Sequence, residues 1–78
     1  MTTTKFRGLT IKDVTPKNCK RVQLEVYHGR VKELIGFVSW DSHDYEYYMK
    51  FTGGWKWNGA ALREFGALLD YVKQEYGK

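Results

Sequence analysis

The chain has one cysteine, one proline, two methionines and two histidines, and each scarcity narrows what it can be. Cys19 has no partner for an internal disulfide, so the fold is not a disulfide scaffold and a reducing cytoplasm is the expected setting. No apolar run approaches the ~18 residues that a membrane span needs, and residues 1–5 lack the apolar segment of a secretory signal. The scarce ligand-bearing side chains, Cys19, His28 and His43 with Asp41 and Asp44, lack the close pairing that zinc sites use. Neither a metal nor a cofactor is expected, and His43, set between acids in a turn, reads as a solvated group rather than a general base. The chain is therefore not expected to be an enzyme. Its 78 residues fall short of the ~100–150 of a typical domain, which leaves no room for two cores. Residues 1–78 read as one small domain, with 1–5 as a flexible N-terminus.

Aromatic residues, by contrast, are abundant: three Trp, six Tyr and four Phe, 17% of the chain. Each buried ring removes ~150–250 Å² from water, so a few of them suffice to anchor a core of this size. The rest are expected at a surface or an interface, and a homodimer would cover more of them.

The formal net charge of +4 conceals a gradient. Residues 1–32 hold Lys5, Arg7, Lys12, Lys17, Lys20, Arg21, Arg30 and Lys32 against only Asp13 and Glu25, whereas residues 33–52 hold Glu33, Asp41, Asp44 and Glu46 against Lys50. Cations beside exposed rings suit a polyanion, because they release its condensed counterions while the rings stack on bases.

Periodicity sets the fold expectation. Residues 6–14 read as a strand interrupted by Gly8, and Thr15-Pro16-Lys17-Asn18 as a turn. Residues 21–28 alternate, with Val22, Leu24 and Val26 on one side and Arg21, Gln23, Glu25 and Tyr27 on the other. After the turn His28-Gly29-Arg30, residues 31–40 are rich in β-formers but change phase near Gly36, which predicts a bulge. Asp41-Ser42-His43-Asp44 makes another turn, and residues 45–52 alternate, with Tyr45, Tyr47, Met49 and Phe51 opposite Glu46, Tyr48, Lys50 and Thr52. Trp55-Lys56-Trp57 is a short extended piece placed to clamp the helix to the sheet. Asn58 is then a helix cap, and Ala61, Leu62, Phe65, Leu68, Leu69, Val72 and Tyr76 form one helical stripe that Gly77 ends. The expected class is α+β: a four-stranded antiparallel sheet with one C-terminal helix packed on one face. Val22, Leu24, Val26, Tyr47, Met49 and Phe51 are expected under the helix, and Arg21, Gln23, Tyr27, Tyr48 and Lys50 on the open face.

That open face, with the basic turn, is the leading candidate site. Lys17, Lys20, Arg21, Arg30, Lys32 and Lys50 would anchor the phosphates of a single strand of DNA or RNA, and Tyr27 and Tyr48 would stack on its bases. The alternative is a protein-interaction or inhibitor module, phage-like or regulatory, docking through Trp40, Asp41, Asp44 and Tyr45. Trp is enriched at binding centres, and an acidic turn repels nucleic acid but not protein. Gly66, Ala67 and Asp70, opposite the helical stripe, would let a second helix approach closely in a two-fold homodimer. Gly36-Phe37-Val38-Ser39-Trp40 resembles the second half of the RNA-recognition-motif signature, but that fold needs a helix where residues 12–30 offer a proline turn and a strand.

The run Gly54-Trp55-Lys56-Trp57-Asn58-Gly59-Ala60-Ala61-Leu62-Arg63-Glu64-Phe65 resembles the transcriptional-coactivator family of single-stranded-DNA-binding domains. The resemblance covers the last third of the chain, with Gly59 where the family tends to have proline. It implies a curved four-stranded sheet with a C-terminal helix, dimerisation through the helices, and single-strand binding on the basic, aromatic sheet face. Trp55 and Trp57 would then be apolar strand positions, and Leu62, Phe65 and Leu69 helix core and interface.

Overall fold

The computed structural model describes residues 3–28, 33–54 and 56–76. They form β1 (Thr3–Phe6), β2 (Leu9–Asp13), β3 (Leu24–His28), β4 (Leu34–Asp41), β5 (Glu46–Phe51) and α1 (Gly59–Tyr76). The strands make one antiparallel meander in the order β1-β2-β3-β4-β5, so β1 and β5 are its edges. The α+β class holds, with five strands rather than four. The extra strand comes from residues 6–14, which are not one interrupted strand. Arg7-Gly8 reverses the chain, pairing Phe6 with Leu9 and Thr3 with Lys12. Arg7 takes a left-handed φ of 55°, which is uncommon for a residue with a Cβ. Residues 3–5 of the expected flexible terminus thus belong to β1.

Alternation carries the core. Leu9, Ile11, Val22, Leu24, Val26, Val38 and Tyr47 are buried, and α1 lays Phe65, Leu68 and Val72 onto them. Enclosing an aliphatic side chain of this kind contributes about 1.5–3 kcal/mol, so these few residues dominate the stability of so small a domain. Asn58 caps the helix: its Oδ1 accepts the Ala61 N–H at 2.9 Å and its carbonyl accepts the Leu62 N–H at 3.0 Å. At the other end the Tyr47 hydroxyl donates to the Tyr76 carbonyl at 3.5 Å, engaging one of the last-turn oxygens and tying α1 to β5.

The predicted bulge is present. Val26 pairs with Gly36 but Tyr27 with Leu34, leaving Ile35 as the extra residue. Thr52 takes up the local carbonyls: its N–H donates to Ile35 O at 3.0 Å and its hydroxyl to Leu34 O at 2.8 Å. Gly36 is needed here, because an added Cβ would lie 2.7 Å from the Lys50 carbonyl oxygen and 3.0 Å from Met49 Cε.

Two expected core residues are not buried. Phe51 is 39% exposed and Leu62 50%. Phe51 ends an edge strand with the rings of Trp57 and Phe65 beside it, at 6.1 and 5.1 Å between centroids. Leu62 falls outside the narrower stripe centred on Phe65, Leu68 and Val72. Met49 is half-buried. Trp57 meets Phe65 edge to face at 5.0 Å and so joins helix to sheet as expected, although residues 56–58 form no strand. Trp55 and Gly77 lie outside the described residues.

Candidate nucleic-acid interface

With α1 on one face, strand register assembles the other. A central row runs Lys12, Glu25, Phe37, Lys50 across β2 to β5. One row to one side runs Lys5, Thr10, Tyr27, Leu34, and one row to the other side pairs Ser39 with Tyr48. Tyr48, Phe37 and Tyr27 therefore stand on three adjacent strands, each offset by two residues from the last. Diagonal neighbours of this kind lie ~7–8 Å apart, so the rings form an oblique line with Lys5, Lys12 and Lys50 around it. Tyr48 is 43% exposed, and Tyr27 and Phe37 are half-buried.

The face also carries acids. Glu25 sits in the central row and Asp41 opposes Glu46 at one end. Both Glu25 and Asp41 have internal partners. The Tyr27 hydroxyl donates to Glu25 Oε1 at 2.8 Å. That bond first, then partial burial and the carboxylate's charge, pushes the Tyr27 hydroxyl above the ordinary tyrosine range. Asp41 Oδ1 accepts the His43 N–H at 2.8 Å and so shapes its own turn.

The loop joining β2 to β3 carries Lys17, Lys20 and Arg21 and no carboxylate. It is held from within. Asp13 Oδ1 accepts the Thr15 N–H at 2.9 Å and the Thr15 hydroxyl at 2.6 Å, and Thr15 Oγ1 accepts the Gln23 N–H at 2.8 Å. The Cys19 N–H donates to the Pro16 carbonyl at 3.0 Å and closes the turn. Burial still alternates through Val22 and Gln23, but β3 begins at Leu24 and Arg21 lies in the bend that precedes it, so Arg21 does not stand in the open-face rows as predicted. Its guanidinium carbon lies 4.0 Å from the centroid of the Trp40 ring, and Trp40 pairs with the core residue Tyr47.

Tyr27, Tyr48 and Lys50 share the open face as predicted. Lys17 and Lys20 are exposed on the loop, and Arg30 and Lys32 lie outside the described residues. The sequence reading missed Lys5, Lys12 and Phe37. Lys12 was available from its alternation with Ile11, whereas Lys5 needed the Arg7-Gly8 reversal and Phe37 the exact position of the bulge.

Of the alternative set, Trp40 is half-buried and meets Tyr47 edge to face at 5.1 Å. Tyr45 is not part of β5 as predicted. It ends the turn at φ 56° with 76% of its surface exposed. Trp40, Tyr45, Tyr47 and Leu69 line a cleft of about 470 Å³ that Lys73 and Asp70 border, while Asp41 and Asp44 do not line it. Among the described residues no three His, Cys, Asp or Glu side chains form a group able to hold a metal ion, and no helix is long and apolar enough to cross a membrane. No protein-family model, no curated protein and no solved structure matches the chain.

Proposed function

We propose that this chain is a small non-enzymatic module that binds single-stranded nucleic acid, DNA or RNA, on its uncovered sheet face. The observation that carries the reading is the oblique line Tyr48, Phe37, Tyr27 with Lys5, Lys12 and Lys50 around it. Rings at that spacing accept bases of any identity, and the cations follow the backbone. Lys17 and Lys20 extend the positive rim, and by sequence Arg30 and Lys32 belong to the same basic set. Dimerisation through α1, which the resemblance at residues 54–65 implies, is part of the proposal. It is supported by the exposure of Leu62 and by Gly66, where an added Cβ would meet nothing within 4 Å. Titration of a labelled mixed-sequence oligonucleotide at two salt concentrations tests the reading, which requires binding that weakens steeply as salt rises.

A second reading rests on the cleft beside Tyr45. There a protein partner would insert an apolar side chain between Trp40, Tyr47 and Leu69. An aromatic-centred protein interface changes much less with salt, so the same titration, repeated with a protein ligand, separates the two.

A further inference from the structure

The β2–β3 loop, the end of β4 and the turn after it border a shallow, open hollow of about 300 Å³, lined among the described residues by Lys20, Arg21, Gln23, Ser39, Trp40 and Ser42 together with Cys19 and Val22. We infer that this hollow is a phosphate site, in which Lys20, Arg21 and the Ser39 and Ser42 hydroxyls hold the oxygens of a phosphodiester or phosphomonoester. The inference deepens the single-strand reading and rests on it only for the source of the phosphate.

The donor set is the first argument. Residues that bear an ammonium, a guanidinium, two hydroxyls and a carboxamide line the hollow, and no described Asp or Glu does. Asp41, set between Trp40 and Ser42 in sequence, turns its Oδ1 to the His43 N–H instead. Arg21 supplies the second. Its one described contact is the Trp40 ring. Seated on an aromatic face, a guanidinium keeps its in-plane N–H donors for an anion and loses less freedom when it binds one. Third, the loop is already ordered through Thr15, so seating the anion requires no folding of the segment that carries the cations.

Position connects the hollow to the ring line. Ser39 stands directly opposite Tyr48, a cross-strand step of ~4.5–5.5 Å. A nucleotide with its phosphate in the hollow therefore has Tyr48 within reach of its base. The polyanion would enter at the sheet end marked by Trp40 and run obliquely toward Tyr27.

The test uses the full chain, ¹⁵N-labelled, titrated at constant ionic strength with inorganic phosphate, thymidine, thymidine 5′-monophosphate and sodium chloride, followed by oligonucleotide titrations. Phosphate and the monophosphate are expected to shift the amides of residues 20–23 and 39–42, while thymidine and chloride leave them in place. Arg21→Gln should weaken monophosphate binding about tenfold or more, as loss of a charge-assisted hydrogen bond does. It should also lower the salt slope of oligonucleotide binding by ~0.7, the value of one single-strand phosphate contact. Lys20→Gln, at an exposed position, serves as the second variant and should act in the same direction. Monophosphate shifts without oligonucleotide binding would keep the site as one for free phosphate esters and overturn the single-strand reading. Oligonucleotide binding that both variants leave unchanged, with no shifts at these amides, would overturn the phosphate site and leave the sheet-face reading standing. Equal shifts from chloride would also overturn it.

Discussion

The Arg21 guanidinium carbon lies 4.0 Å from the centroid of the Trp40 ring, which joins the basic loop to the end of β4. Cation–π pairs at exposed sites contribute about 0.5–1 kcal/mol. A double-mutant cycle of Arg21→Gln and Trp40→Leu, followed by urea unfolding, should give a coupling energy in that range. Additivity within about 0.3 kcal/mol would mean that the pair has no energetic link.

Two glycines should respond oppositely to a methyl group. Gly36→Ala drives a Cβ against the Lys50 carbonyl and Met49, and such overpacking typically costs 1–3 kcal/mol, here expected at about 2. Gly66→Ala meets open space on the helix surface and should stabilise the monomer by roughly 0.5–1 kcal/mol. Unfolding midpoints that move the same way in both variants would contradict the bulge geometry.

The helix stripe predicts a sharp contrast between two leucines. Leu68 is fully buried and Leu62 half-exposed. Leu68→Ala should cost about 2–5 kcal/mol, whereas Leu62→Ala should stay within about 1 kcal/mol of the parent. Denaturant unfolding at a concentration low enough to keep the chain monomeric checks both, and comparable losses would place the stripe wrongly.

Tyr27 gives the fold a pH dependence of known sign. The Tyr27–Glu25 hydrogen bond needs the phenol protonated, and it raises the hydroxyl's pKa in the folded chain. As pH climbs past about 10 the unfolded chain loses this proton first. The stability contributed by the bond is thus present below that pH and lost as pH rises through the folded value. Thermal midpoints should fall more steeply between pH 9 and 11 for the parent than for Tyr27→Phe. Tyr76, whose hydroxyl burial also pushes up, contributes to both proteins alike, so parallel curves would contradict the assignment.

Much of this fold is legible in the residues, and the failures have local causes. The alternation of Leu24 and Val26, the phase change at Gly36 and the cap at Asn58 are short-range signals, and each corresponds to an observed element. β1 was hidden because its reversal uses Arg7 at a left-handed φ, where Asn-Gly or Asp-Gly would have announced a hairpin. Arg21 was misplaced because strand geometry was carried back past the start of β3 at Leu24 into the bend at residues 20–21, where its guanidinium settles over Trp40. Phe51 has the right parity, yet it ends an edge strand and stays partly exposed. The ring line depends on pairing register, which no single strand contains. Tyr27 and Tyr48 could be assigned to one face, but Phe37 between them emerged only from the bulged β3–β4 pairing.

The measurement that bears most directly on the account is fluorescence anisotropy of a labelled mixed-sequence single-stranded oligonucleotide, titrated with the parent chain and with a Tyr27→Ala, Tyr48→Ala double variant at low and moderate salt. Base stacking on a ring contributes about 1–3 kcal/mol, so the folded double variant should bind at least about tenfold more weakly, and the parent's binding should fall steeply with salt. Equal affinity of the two proteins, or no binding by the parent at low salt, would contradict the sheet-face reading.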